Sequence, residues 1–97
     1  MIEGLAGYDF EGQDWSGMDL SDTDLRDTRF HSASLEGADL RGANLDGANL
    51  MFAKLLNADL RGADLKDSLL MFARLSNANL EGARLPSNYR SAVQRGG

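Results

Sequence analysis

A large hydrophobe stands at every fifth position from Leu5 to Leu85, seventeen positions without an exception: Leu5, Phe10, Trp15, Leu20, Leu25, Phe30 and then leucine at each step from Leu35 onward. On an α-helix of 3.6 residues per turn a step of five advances about 500°, so these side chains would wind around the axis instead of lining one stripe. On an unbroken strand side chains alternate between faces, and an odd step would send neighbouring hydrophobes to opposite sides. Both long elements are excluded. The period is satisfied by a chain that turns a corner once in every five residues and points the middle of each short extended segment at a common axis. The sequence predicts an all-β solenoid.

A second column supports this, two residues before each hydrophobe, which is the next position on the same inward face of an extended segment. From Ala33 to Ala83 all eleven of these positions are alanine except Ser68. Small residues recur there because a narrow interior holds one large and one small side chain per side, and extra methylenes would overpack it. Two residues after the hydrophobe glycine is frequent, at Gly37, Gly42, Gly47, Gly62 and Gly82, as suits a corner with positive φ.

The repeated unit therefore reads A-D/N-L-x-G, as in Ala38-Asp39-Leu40-Arg41-Gly42 and Ala43-Asn44-Leu45-Asp46-Gly47. This unit, carried across residues 18–85, resembles the pentapeptide repeat family. The resemblance implies a right-handed quadrilateral β-helix in which four pentapeptides make one coil of twenty residues. The sequence has its own echo of that number: Met51-Phe52-Ala53-Lys54-Leu55 and Met71-Phe72-Ala73-Arg74-Leu75 lie twenty residues apart. About four coils are expected, forming a rod of about 20 Å at the usual spacing between strands.

So short a solenoid needs its ends covered, because an open coil exposes leucines and unpaired backbone. Residues 1–88 are read as the β-helix, and its first coil is expected to be irregular. There the inward small position is held by Tyr8, Gln13 and Met18, too large for the narrow tube, with Phe10 and Trp15 closing the end. Pro86 interrupts the repeat. Residues 89–97 are read as a C-terminal tail, with a short helical cap within 87–94 that lays Tyr89 and Val93 over the last coil.

The 97-residue chain has no cysteine, which removes disulfides and thiolate metal sites. No apolar run approaches membrane-spanning length and Met1-Ile2-Glu3-Gly4 does not open a signal peptide, so a cytoplasmic protein without membrane contact is expected. No catalytic group, metal site or cofactor is indicated, and an enzyme is not expected. His31, the single histidine, has no partner signalled by spacing. Asp22, Asp24 and Asp27 lack the glycine and closing glutamate of a calcium loop. The Gly37 to Gly42 spacing belongs to the repeat and lacks the Lys-Ser/Thr of a phosphate loop. Asn57 and Asn77, one coil apart, suit a side-chain ladder.

Charge and apolar surface carry the functional reading. Net charge is −5, but residues 1–40 hold ten acids against Arg26 and Arg29, whereas residues 41–97 hold five acids against eight bases. Folding the sequence at twenty residues per coil places Asp19, Asp39 and Asp59 in one outward column beside Arg41 and Arg61. That column is read either as a solvated face offset by arginine or as an acidic surface competing with nucleic acid for a basic groove. Direct nucleic acid binding is not expected, because no basic stripe with interleaved aromatics is present.

The same folding gathers Met51, Phe52, Leu69, Met71 and Phe72 on the outside of the third and fourth coils, with Leu56 around the corner. A contiguous apolar patch calls for a cover, either the C-terminal tail or another chain, most simply a second copy in a two-fold homodimer. The expected function is a non-enzymatic structural or protein-protein interaction module. The alternative, from the family members linked to quinolone resistance, is a DNA mimic that binds DNA gyrase.

Overall fold

The computed structural model describes residues 3–93. The inward amide at each corner returns to the carbonyl of the preceding central hydrophobe, as from Ala38 to Leu35 at 3.0 Å and from Ala43 to Leu40 at 3.1 Å. This closes a four-residue turn. Among the described residues the third turn position has positive φ at every corner from Gly7 to Gly82 except Asp67, and the second position never does. That combination marks a type II turn.

Four such corners return the chain above its starting point. Among the described residues twelve parallel bridges join residues twenty apart, from Asp9 with Arg29 to Asp64 with Arg84. The chain is a right-handed quadrilateral β-helix. Its four faces are centred on Leu5, Leu25, Leu45, Leu65 and Leu85 (face one), Phe10, Phe30, Leu50 and Leu70 (face two), Trp15, Leu35, Leu55 and Leu75 (face three), and Leu20, Leu40, Leu60 and Leu80 (face four).

Backbone polar groups need partners, and the pentapeptide supplies one for each of its five amides. In the unit beginning at Leu40, the Leu40 and Gly42 amides donate up the rod to Asp59 and Arg61, Ala43 donates within its turn, and Asn44 donates down the rod to Thr23. The fifth amide, of Arg41, points away from both neighbouring coils and donates to Asp39 Oδ1 at 3.1 Å. Asn44, Asn49, Asp59, Asp64 and Asn79 each accept from the amide two residues on in the same way. The Asp/Asn column of the repeat is therefore a column of side-chain turn caps.

The core is a stack of leucine and alanine layers. Leu20, Leu25 and every central leucine from Leu35 to Leu60 are fully buried, as are Ala33, Ala38, Ala43, Ala48 and Ala53. Each buried leucine contributes about 1.5–3 kcal/mol. Where a hydroxyl replaces alanine it is bonded: Thr28 donates to Leu25 O at 2.6 Å and Ser68 to Leu65 O at 2.9 Å.

The expected irregularity of the first coil is absent from its backbone. Phe10, Trp15 and Leu20 donate to Arg29, Ser34 and Asp39 at 2.7 Å each, in the register of the coils above. Tyr8, Gln13 and Met18 are exposed instead of being forced into the tube, so among the described residues nothing obliges the chain to widen. Phe10 packs against Trp15 and Phe30 with ring centroids 4.5 and 5.2 Å apart and seals the end.

At the other end buried Pro86 turns the chain out of the coil, and helix α1 (Tyr89–Val93) folds over the edge. Tyr89 and Val93 pack half-buried on the core, while Ala92 is fully buried. The Ala92 carbonyl accepts from the Phe72 amide at 3.2 Å, the role a fifth coil would play. Residues 94–97 of the expected tail lie outside the described residues.

Candidate interaction surface

The corner between faces two and three carries two outward columns, Glu11, His31, Met51, Met71 and Gly12, Ser32, Phe52, Phe72. The second occupies the left-handed turn position, with φ of 60° at Phe52 and 61° at Phe72. Glycine reaches this conformation freely, but for a bulky L-residue it is an outlier costing about 1–2 kcal/mol. The two phenyls stack one coil apart, ring centroids 5.0 Å and planes 19° apart. Phe52 remains 53% exposed. Phe72, Met51 and Met71 are half-buried.

Helix α1 therefore covers the upper rim of this corner through the Ala92 contact, and among the described residues the Phe52 face is left open. Leu69, 52% exposed, lies on face two in the column of Asp9, Arg29 and Asn49. It borders an open groove of about 620 Å³ that also meets Lys66, Leu85, Pro86 and Asn88. Leu56 is half-buried at the next corner, between faces three and four. Lys54 separates it from the phenyls along the chain, and its column neighbours are Glu36 and Ser76. The patch is thus centred on the phenyl corner, with Leu69 to one side and Leu56 one corner away.

Lys54 and Arg74 follow the two phenyls at an interval of two residues and bridge each other on face three. Both are exposed, and among the described residues neither forms an ion pair. Two coils below Lys54 and three below Arg74, on the same side, stand Asp9, Glu11 and Asp14. Glu11 Oε2 lies 3.0 Å from His31 Nε2, so the histidine is tied to the acidic end of the corner column. Sequence spacing did not signal that pair, because its members meet only through the coil.

The acidic column is on face four, leading to the opposite corner. Asp19, Asp39 and Asp59 bridge in sequence up the rod, and each is engaged within the molecule. Asp19 accepts from the Ser21 hydroxyl at 2.7 Å and the Ser21 amide at 3.0 Å, which hold its carboxyl below the usual range. Arg41 Nε and Nη2 donate to the two oxygens of Asp39 at 2.8 and 2.7 Å, chief cause of a pKa pushed down to about 2. Arg61 grips Asp59 in the same way at 2.9 and 2.6 Å, again lowering the carboxyl. Bidentate arginine pairing of this kind neutralises the upper two-thirds of the column. Among the described residues no cluster of three or more His, Asp or Glu side chains is arranged to hold a metal, and no helix is long and apolar enough to cross a membrane.

Coils of four five-residue sides, closed by type II turns around a leucine and alanine core, define a quadrilateral β-helix. The pentapeptide repeat family model matches in eight copies across residues 5–42 and 29–67. The chain belongs to the pentapeptide repeat family. Among solved structures it is similar to the pentapeptide repeat protein Rfr23 from the cyanobacterium Cyanothece 51142, with 35% identity and a TM-score of 0.83 over 84% of this chain and 56% of that one. It is similar to a pentapeptide repeat protein of the Arabidopsis thaliana thylakoid lumen, with 40% identity and a TM-score of 0.83 over 87% of this chain and 58% of that one. A third, alr5209 from Nostoc PCC 7120, is 45% identical with a TM-score of 0.78 over 79% of this chain and 64% of that one. The chain therefore spans less than two-thirds of the length of these relatives. Comparison with curated proteins finds no match.

Proposed function

We propose that this chain is a non-enzymatic protein-interaction module whose contact surface is the corner of Met51, Phe52, Met71 and Phe72. The observation that carries this reading is a pair of phenylalanines held in left-handed backbone, stacked on each other and left open on the Phe52 side. Glycine occupies the equivalent turn position at most other corners and satisfies the turn without strain. Retaining two phenyls there costs the fold backbone energy and leaves apolar surface in water, an arrangement that a partner would turn to advantage. The regular ladder beneath makes the corner a rigid platform, which lowers the ordering cost of binding.

Mimicry of DNA toward gyrase, the alternative, needs a continuous field of uncompensated acid. Arg41 and Arg61 interrupt that field on face four, and no specific observation favours it. The test is photo-cross-linking in cells, with benzoylphenylalanine in place of Phe52 and, as control, in place of Glu81 at the opposite corner. A protein adduct formed from position 52 and not from position 81 is the expected result. Identical adducts from both positions, or none from position 52, would overturn the reading.

A further inference from the structure

We infer that the partner segment taken up by this corner is an extended acidic peptide that alternates apolar and carboxylate side chains, an inference that rests on reading the corner as a contact surface. The argument is one of charge complementarity. Other arginines of the rod are engaged: Arg26 with Asp24 in the lower coils, Arg41 with Asp39 and Arg61 with Asp59 beside face four, and Arg84 with Asp64 at 3.4 Å on upper face one. Lys54 and Arg74 form no ion pair among the described residues. They occupy bridged positions of one ladder, where like charges side by side are unfavourable, and no carboxylate of the described residues lies within ion-pair distance. Lys66, which lines the groove beside Leu69, also forms no ion pair among the described residues. The two cations that flank the exposed apolar corner, Lys54 and Arg74, are thus without a close carboxylate partner among the described residues, and Asp14 attracts Lys54 only from two coils below.

Spacing agrees with charge. Phe52 precedes Lys54, and Phe72 precedes Arg74, by two residues. In an extended peptide alternate side chains lie on one face about 6.6 Å apart, so an apolar residue and a carboxylate two positions on can meet a phenyl and its cation together. Asp9, Glu11 and Asp14 on the lowest coil repel the same peptide and confine it to the third and fourth coils. A second copy docked antiparallel, by a two-fold axis perpendicular to the rod in the interface plane, would bring Lys54 and Arg74 of the two chains together, which is unfavourable. A single-stranded nucleic acid would find few cations on a chain of net charge −5, whereas binding to phosphates scales with the number neutralised.

The experiment is an amide NMR titration of the uniformly labelled chain with a capped synthetic peptide of alternating glutamate and phenylalanine, and with its glutamine counterpart. The expected result is saturable shift of the Phe52, Lys54, Phe72 and Arg74 amides by the glutamate peptide, weakened at least tenfold in the glutamine peptide and in Lys54→Gln/Arg74→Gln. Equal binding of both peptides at the corner would overturn the acidic chemistry while leaving the contact surface standing. No shift at the corner, alongside a cross-link from position 52, would do the same. Stronger binding of an oligothymidylate at these amides would replace the peptide by a nucleic acid. Concentration-dependent broadening of the same amides without peptide, with a dimer mass by light scattering, would replace it by a second copy. No shift together with no cross-link would overturn both the inference and the reading beneath it.

Discussion

Replacing Phe52 and Phe72 together by asparagine should leave the stability of the fold nearly unchanged, although it removes two aromatic side chains. Asparagine already occupies this turn position at Asn57 and Asn77, with φ of 62° and 63°, and tolerates left-handed backbone. Relief of strain at two bulky residues returns about 1–2 kcal/mol each. Against this, loss of the stacked pair costs about 0.5–1.5 kcal/mol. Phe52 is 53% exposed and Phe72 half-buried, so each forfeits about half of the ~1.5–3 kcal/mol of full burial. Gains and losses are each about 3 kcal/mol at their midpoints, and the expected net change is within about 1 kcal/mol of zero. Equilibrium urea denaturation followed by circular dichroism measures it, with an unchanged slope confirming that the same surface is exposed. A loss of about 3 kcal/mol or more would show that the phenyls hold the coil together. The claim that they are retained for contact would then fail.

A core change should behave in the opposite way: Leu45→Ala, at a fully buried position between Leu25 and Leu65, should cost about 2–5 kcal/mol through the cavity it leaves. A melting temperature equal to that of the parent would mean that Leu45 does not face the axis. Gly42→Ala and Gly62→Ala share nearly the same left-handed φ, 67° and 69°, but a methyl at Gly42 collides with the Asp22 carboxylate whereas at Gly62 it meets open space. Both should destabilise, by about 1–2 kcal/mol for the backbone alone, and Gly42→Ala more; equal losses would show that Asp22 yields freely. The carboxyls of Asp24 and Asp39 are depressed to about 2, first by their arginine hydrogen bonds. Their contribution is therefore complete above the ordinary carboxylate pKa and disappears as pH falls through 2. The melting temperature should hold level from neutral pH to about 5 and decline between about 4 and 2, with a shallower decline in Asp39→Asn. A decline already complete by pH 4 would contradict the depressed values.

The five-residue period in the sequence was sufficient for the fold because the geometry is local and repeated. Once each leucine must face one axis, the corner, the small inward residue and the glycine after the hydrophobe follow from sterics at each position. The apolar corner was legible for the same reason: Met51 and Phe52 recur as Met71 and Phe72, and the twenty-residue register stacks them. The role of the Asp/Asn column was not legible. A column of acids reads as a charged face until the backbone is drawn and the amide of each following residue is found to need Asp39 Oδ1 or its equivalent. The His31 and Glu11 contact was hidden similarly, because twenty residues of chain separate two side chains that one coil brings together.

By itself the sequence determined the solenoid, its phase, its approximate number of coils and the side on which its apolar surface gathers, since all of these follow from which residues repeat and at what interval. The tertiary structure decided which charges remain available. Arg41 and Arg61 close on the neighbouring aspartates while Lys54 and Arg74 meet no carboxylate. It also decided that α1 covers the rim of the phenyl corner and leaves Phe52 open. The arginine pairs depend on how side chains two residues apart converge across one corner, and the other outcomes on distances between atoms in different coils, neither of which a one-dimensional pattern measures.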